Sequence, residues 1–257
     1  MKGISVTTQK VVVITGAAQG IGRACAEAFA DRKYRLVLID RLDTVHQVGG
    51  EIGAHDALSY AVDLSDAKGV EALTSEIDGA AGGVDILVNN AGINPKSTDG
   101  TAARVSNTTL DEWNRVLATN LTSAFLLSKW ALSSMKERAW GRIVNISSRG
   151  GRVYSPAAGA HYAASKAALI GFNRALAGEG GPLGITANCV APGRIDTPLT
   201  ASAGAGSDEM RSRFLQETPV GRVGTADEIA AAVKFLASDG AAFITGAVID
   251  VNGGSFG

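Results

Sequence analysis

The sequence predicts a single-domain α/β fold, a doubly wound parallel sheet with helices on both faces. Three observations carry that expectation. Short apolar runs recur along the whole chain, and segments with helical spacing lie between them. Several of these runs are continuous, as strands covered on both faces require. No linker, repeat or low-complexity block divides the 257 residues, so residues 1–257 are expected to form one domain.

The expected strands, in order, are Val11–Thr15, Leu36–Asp40, Asp85–Asn89, Arg142–Ser147, Thr186–Ala191 and Ala247–Val251, with a further short apolar segment at Tyr60–Val62. A helical segment, Arg23–Arg32, follows the first glycine-rich turn. Thr109 with Glu112, and Thr225 with Glu228, each match a capping box, in which hydroxyl and carboxylate satisfy reciprocal backbone N–H groups. After Thr225, the residues Ile229, Val233, Phe235 and Leu236 predict one apolar face. Right-handed crossovers then distribute the helices over both sides of the sheet. The Ala-, Gly- and Ser-rich stretch 200–207 predicts an exposed loop. Trp113, Trp130 and Trp140 read as packing residues.

Composition narrows the function. Apolar residues make up 46% of the chain and charged ones 19%, enough for a core and too apolar for disorder. With 24 basic and 25 acidic side chains, no electrostatic case for nucleic acid or a membrane surface arises. Lys136, Arg138 and Arg142 read as a solvated helix end. Cys25 and Cys189 stand far apart in apolar surroundings and predict buried thiols. His46 and His55 are isolated, and no metal set emerges. Met1 to Lys10 lacks the apolar core of a signal peptide, and the expected location is cytoplasmic.

The first strand runs into Gly16-Ala-Ala-Gln19-Gly20-Ile21-Gly22 and then into a helix. Glycines let the backbone approach a pyrophosphate, whose charge is favoured by the exposed N–H groups of a helix start. Asp40 ends the second strand, 18 residues beyond Gly22. A carboxylate there binds ribose hydroxyls and repels a 2′-phosphate, which favours NAD over NADP. Arg41 argues the other way, and the neutral Gln19 gives it no second positive charge. Asp63, followed by Leu64, is a candidate contact for the adenine edge. Tyr162-Ala-Ala-Ser-Lys166 places a phenol and an ammonium four residues apart, on one face of a helix. A nearby positive charge lowers a tyrosine pKa from its usual ~10 toward the range of a general acid/base.

With these elements in order, the chain resembles the short-chain dehydrogenase/reductase family, over roughly Gln9 to Gly254. Thr15-Gly16-x3-Gly20-Ile21-Gly22 is similar to its cofactor turn, and Asn89-Asn90-Ala91-Gly92 to the motif that shapes the adenosine side. Asn120 matches its active-site asparagine, and Tyr162/Lys166 its catalytic pair. Pro192-Gly193, then Ile195 and Thr197, matches the nicotinamide-side loop. The resemblance implies a Rossmann-like domain and NAD(H)-dependent interconversion of a secondary alcohol and a ketone. In that scheme Tyr162 transfers the hydroxyl proton, while Lys166 binds the nicotinamide ribose and lowers the tyrosine pKa. Ser148 bonds the substrate oxygen. Asn120 bends its helix and holds a relay water, and Ile195 and Thr197 contact the carboxamide. Ser148 lies 14 residues before Tyr162, one more than is common in the family, so Ser147 competes with it. The step from Ser148 to Gly151 favours Ser148.

Substrate clues are fewer. Arg149, Arg152 and Tyr154 are expected in the loop that lines the substrate cleft, where an arginine could bind a carboxylate or polyol oxygen. A solubilising charge is the bland alternative for each arginine, and a surface loop the bland reading of His161. Residues 199–217 are expected to form a substrate lid. Many family members reduce 3-oxoacyl groups on acyl carrier protein, and NADP(H)-dependent reduction of that kind is an alternative. Arg138 fits the basic docking position of such enzymes, whereas Gly178 stands where a second basic residue is expected. A sugar, polyol or hydroxy-acid substrate is at least as compatible. A protein that senses NAD(H) without turnover forms a different class, and its expected mark, loss of Ser148, Tyr162 or Lys166, is absent. Small residues from Ala157 to Ala168, by analogy with the family, imply a homotetramer.

Overall fold

The computed structural model describes residues 9–97, 100–201 and 208–255. Seven strands form one parallel sheet in the order β3-β2-β1-β4-β5-β6-β7. They are β1 (Lys10–Thr15), β2 (Tyr34–Asp40), β3 (Ala57–Ala61), β4 (Ile86–Asn89), β5 (Gly141–Ile146), β6 (Ile185–Pro192) and β7 (Val248–Val251). Nine α-helices connect or cover them among the described residues: α1 (Gly20–Ala28), α2 (Val45–Glu51), α3 (Ala67–Ala81), α4 (Leu110–Leu117), α5 (Ser123–Lys136), α6 (Ala160–Gly180), α7 (Pro198–Ala201), α8 (Asp208–Glu217) and α9 (Ala226–Leu236).

The continuous apolar runs divide residue by residue between two cores. Val12, Ile14, Leu36, Leu38, Ile86, Val88, Val144 and Ile146 point to one face, under α1, α2 and α9. Val11, Val13, Val37, Ile39, Leu87 and Ile143 point to the other, under α3, α5 and α6. Side-chain alternation with period two explains why a run with no polar position is still a strand. The order reverses between β1 and β4, whose register pairs Ile14 with Val88. A crevice therefore opens beyond the carboxyl ends of these two strands, where ligands bind open α/β sheets.

Several expectations change in detail. The first helix stops at Ala28 rather than Arg32, because Phe29 turns inward, fully buried, and meets the Tyr34 ring edge-on at 5.1 Å. Thr225 and Glu228 form the full capping box. Thr109 bonds the Glu112 N–H, but the Glu112 carboxylate turns to His161 instead. Phe235 is 53% exposed, leaving Ile229, Val233 and Leu236 as the buried face of α9. Arg142 is no part of a solvated helix end. It lies in β5, buried, stacked 4.4 Å from the Trp140 ring, with bonds to Gly141 O and Ser238 O. Both cysteines are buried free thiols, pushed up to about 12 by desolvation. No helix among the described residues is long and apolar enough to cross a membrane. The expected lid is helical at both ends, in α7 and α8, and its middle, 202–207, lies outside the described residues.

Candidate active site

The turn after β1 is built by close backbone approach. Gly16 and Gly20 have φ of +68° and +57°, and a Cβ on Gly22 would stand 2.0 Å from the Gly16 carbonyl oxygen. Gln19 is the N-cap of α1 but makes no side-chain cap bond, and the first turn holds no acidic residue. The N–H groups at this helix start are thus left without a side-chain acceptor, the donor set an anionic pyrophosphate requires. Asn90 secures the turn from β4, donating from Nδ2 to Thr15 O at 2.9 Å and Gly16 O at 3.2 Å. The Thr15 hydroxyl accepts from the Asn90 and Ala91 amides at 2.9 and 3.0 Å.

A cleft of about 390 Å³ follows from this turn, and Gly16, Gln19, Gly20, Ile21, Asp40, Arg41, Asp63, Leu64, Asn90, Ala91, Gly92 and Thr197 all line it. Asp40 accepts from the Ala18 and Leu42 amides at 2.9 and 3.1 Å, which fixes its carboxylate at the end of β2. Asp63 is held below the usual carboxylate range, chiefly by the Ser65 N–H, with Arg41 adding to the effect. The loop after β6 closes the far side: Ile195 is buried, its carbonyl accepts from the Thr200 hydroxyl at 2.6 Å, and Thr197 meets the Gly20 turn. Uncapped amides, a glycine cradle and a strand-end carboxylate together fit a nicotinamide dinucleotide.

A smaller cavity of about 90 Å³ continues the cleft inward, walled by Ser148, Tyr162, Lys166, Pro192, Gly193 and Ile195. A third, of about 150 Å³, shares Ser148, Tyr162 and Gly193 with it and opens toward Phe214 and Glu217 of α8. Ser148 and Tyr162 thus stand where the inner and outer cavities join. The Ser148 hydroxyl stands close enough to the Tyr162 phenol to act on its pKa, and Ser148 Oγ accepts from the Gly150 amide at 3.1 Å. Ser147 points away, its hydroxyl bonded to Lys166 O at 2.8 Å and buried.

Lys166 is 3% exposed, and its Nζ donates to Ile146 O at 2.8 Å, 5.8 Å from the centre of the Tyr162 ring. Desolvation pushes it down to about 8. Burial raises the Tyr162 phenol above its ordinary value, and the Ser148 hydroxyl opposes that rise. The expected depression by Lys166 does not enter in the unliganded protein: with its own pKa brought down to about 8, Lys166 is neutral before the raised phenol ionises.

Asn120 sits in a π-helical turn, Ala118–Thr122, between α4 and α5. Its side chain is fully engaged: Oδ1 accepts from Ile93 N at 2.8 Å, and Nδ2 donates to Ile93 O and to Ser165 Oγ, each at 3.0 Å. A Cβ on Gly92 would lie 3.2 Å from Lys166 Nζ and 3.4 Å from Asn120 Oδ1, so only glycine lets these two groups approach that strand end freely.

Other expected residues are placed differently. Arg149 lines the outer cavity but is buried, its Nε bonded to Ser255 O at 2.8 Å. Arg152 pairs with Asp250, and Tyr154 is 85% exposed. His161 is fully buried in the first turn of α6 and bonds Glu112 at 3.0 Å, not a surface loop histidine. Arg138 bonds Val84 O and Gly82 O, which ties its guanidinium to the approach of β4. The sequence reading passed over Lys96 and Arg194. Their only signal is position: Lys96 lies four residues after Gly92, and Arg194 directly follows Gly193.

Residues 16–255 match the family model described as enoyl-(acyl carrier protein) reductase. The chain is 40% identical over 247 residues to the 3-oxoacyl-(acyl-carrier-protein) reductase of Vibrio cholerae, covering 96% of this chain and 97% of that protein. A crystal structure of a 3-oxoacyl-(acyl-carrier protein) reductase from Brucella melitensis with bound NAD is similar at a TM-score of 0.86 and 39% identity, over 99% of this chain and 95% of the other. A Beutenbergia cavernae protein provisionally assigned as an NAD(P)-dependent gluconate 5-dehydrogenase, with NADP bound at low occupancy, is similar at 0.87 and 36% identity, over 95% and 96%. The chain belongs to the short-chain dehydrogenase/reductase family and is an oxidoreductase acting on CH–OH groups with NAD(P) as acceptor.

Proposed function

We propose that this chain reduces a 3-oxoacyl thioester, carried on acyl carrier protein, to the 3-hydroxyacyl product, with NADH as reductant. Likeness to the Vibrio cholerae and Brucella melitensis reductases supports the substrate class and moves weight away from a sugar or polyol. Asp40 supports NADH: its fixed carboxylate would accept ribose hydroxyls and repel a 2′-phosphate.

The carrying observation for the chemistry is the placement of Ser148 and Tyr162 together at the junction of two cavities, beside buried Lys166. A bound nicotinamide would supply hydride to the carbonyl carbon. Tyr162 gives its proton to the carbonyl oxygen, and a phenol raised by burial holds that proton at neutral pH until it is needed. Ser148 donates to the same oxygen as negative charge develops there. Lys166, in the wall of the inner cavity, holds a ribose hydroxyl and, at about 8, exchanges protons close to working pH. Asn120 acts as a positioning residue, clamping Ile93 to Ser165 on the helix that carries both Tyr162 and Lys166. We also propose a homotetramer, supported by the outward Phe125–Phe172 contact on α5 and α6, with Phe125 45% exposed.

Tyr162→Phe is expected to cut kcat for an acetoacetyl thioester by roughly 10²–10⁴-fold while NADH still binds. A variant with wild-type turnover ends the assignment of Tyr162. Comparing kcat/KM for NADH and NADPH tests the cofactor; preference for NADPH shows that Arg41 outweighs Asp40.

A further inference from the structure

The helix that carries Tyr162 and Lys166 begins without a cap of its own. Gly159, the N-cap of α6, offers no side-chain acceptor, and the first turn holds no acidic residue. A helix start leaves backbone N–H groups without partners inside the helix, and such ends fray unless something else holds them. The start of α6 is tied down from other segments instead. Asn94 Oδ1 accepts from the Gly159 amide at 3.2 Å, and Ala103 O accepts from the Ala160 amide at 3.0 Å. The third tie joins two side chains. His161 Nε2 lies 3.0 Å from Glu112 Oε1 of α4, and because a carboxylate only accepts, the ring donates.

That bond fixes a buried ring. His161 is fully buried, and its other nitrogen, Nδ1, has no hydrogen-bond partner among the described residues. Glu112 is held in turn, its amide donating to the Thr109 hydroxyl at 3.1 Å while its carboxylate reaches across to α6. Four residues beyond His161, the equally buried Ser165 hydroxyl accepts from Asn120 Nδ2 at 3.0 Å. Asn120 belongs to the π-helical turn that continues α4. His161 and Ser165 thus share one face of α6, one turn apart, and both are clamped by the same continuous segment. Tyr162 and Lys166 each follow by one position, so the catalytic pair rides on a face turned about 100° from the clamped one.

We propose that Glu112 and His161 are positioning residues for Tyr162, supplying the outer of two clamps that fix the rotation and height of the first turn of α6. This rests on the reading of Tyr162 as the proton donor to the ketone. Neither residue lines the cofactor cleft or the two cavities beside it, so their action runs through the helix and not through contact with substrate. A reacting group misplaced by about 1 Å loses on the order of 10²-fold in rate, which gives a bond outside the cavity its leverage.

The test is kcat for acetoacetyl-pantetheine, counted per NADH-binding site by titration so that unfolded protein does not enter the rate. Glu112→Ala and His161→Leu are each expected to lower kcat roughly 10- to 100-fold. NADH affinity should stay unchanged, because the glycine turn and Asp40 lie elsewhere. Glu112→Gln keeps an acceptor at the same reach and is expected to restore most of the rate. In a Tyr162→Phe background, Glu112→Ala should add little further loss, since residues that act as a unit are not additive. Wild-type kcat per site in Glu112→Ala or His161→Leu overturns the positioning role. So does a Glu112→Gln variant as slow as Glu112→Ala, or a full further loss on top of Tyr162→Phe. Should a single variant fail to fold because it leaves a buried polar group unpaired, the double variant removes both groups, and wild-type kcat per site in it overturns the role. If Tyr162→Phe is slow while the clamp variants are not, the clamp alone falls. If Tyr162→Phe turns over like the wild type, or the wild type is inert toward this thioester, the reading beneath falls and the clamp with it.

Discussion

Lys166→Met is expected to make the unliganded protein's stability respond differently to alkali. The wild-type ammonium is almost fully buried and has one bond, to Ile146 O. Desolvation lowers its pKa from 10.5 to about 8, which at about 1.36 kcal/mol per pH unit is a penalty of roughly 3 kcal/mol. The sign follows from proton counting. Below about 8 both folded and unfolded chains hold the proton, so the penalty is complete and constant. Between about 8 and 10.5 the unfolded chain holds a proton that the folded chain has released, so stability rises with pH. Met has similar length and no charge, and its variant lacks this rise. Loss of the Ile146 bond shifts the variant by an offset that does not change with pH, so the slope is the diagnostic. The buried thiols, pushed up to about 12, lower stability above about pH 9; Cys25 cancels in the difference, and placing both proteins on a Cys189→Ala background removes Cys189, on which the Lys166 charge acts. Urea unfolding followed by circular dichroism, at one fixed protein concentration, gives ΔG from about pH 7 to 10. The wild-type curve should gain roughly 2–3 kcal/mol on that of the variant over this range. Parallel curves would refute the buried-ammonium account.

Three further outcomes follow from particular contacts. Gly22→Ala drives a methyl group to 2.0 Å from the Gly16 carbonyl oxygen, so the turn must shift; NADH affinity by titration should fall at least roughly tenfold, and unchanged affinity would place the cofactor elsewhere. Thr225→Ala removes the hydroxyl that caps α9 and should cost about 1 kcal/mol in urea unfolding, with kcat unaltered. Light scattering should give four times the chain mass, with Phe125→Lys dissociating the assembly; a concentration-independent wild-type monomer rejects the tetramer.

Whatever depends on local pattern was legible from the residues. Continuous runs such as Val11–Ile14 announced strands buried on both faces, and the two cores divide those residues alternately. The four-residue step from Tyr162 to Lys166 placed both side chains at one cavity because a helix turn lies between them. What escaped depends on partners far along the chain. Arg149 reads as a solubilising charge or a substrate ligand until Ser255, 106 residues away, takes its Nε. His161 reads as a loop residue until Glu112 leaves its own capping box to meet it, a choice between two bonds that the Thr-x-x-Glu spacing cannot decide.

The same distinction between local and distant partners bears on the choice of dinucleotide. Asp40 and Arg41 are neighbours at the end of β2, both line the cofactor cleft, and their spacing treats them alike. Asp40 has one carboxylate oxygen held by the Ala18 amide and the other by the Leu42 amide, so its negative charge is fixed at the cleft. No such bond holds the Arg41 guanidinium among the described residues. A fixed carboxylate that accepts ribose hydroxyls repels a 2′-phosphate wherever the flexible arginine turns, so selectivity for the dinucleotide should be set by Asp40.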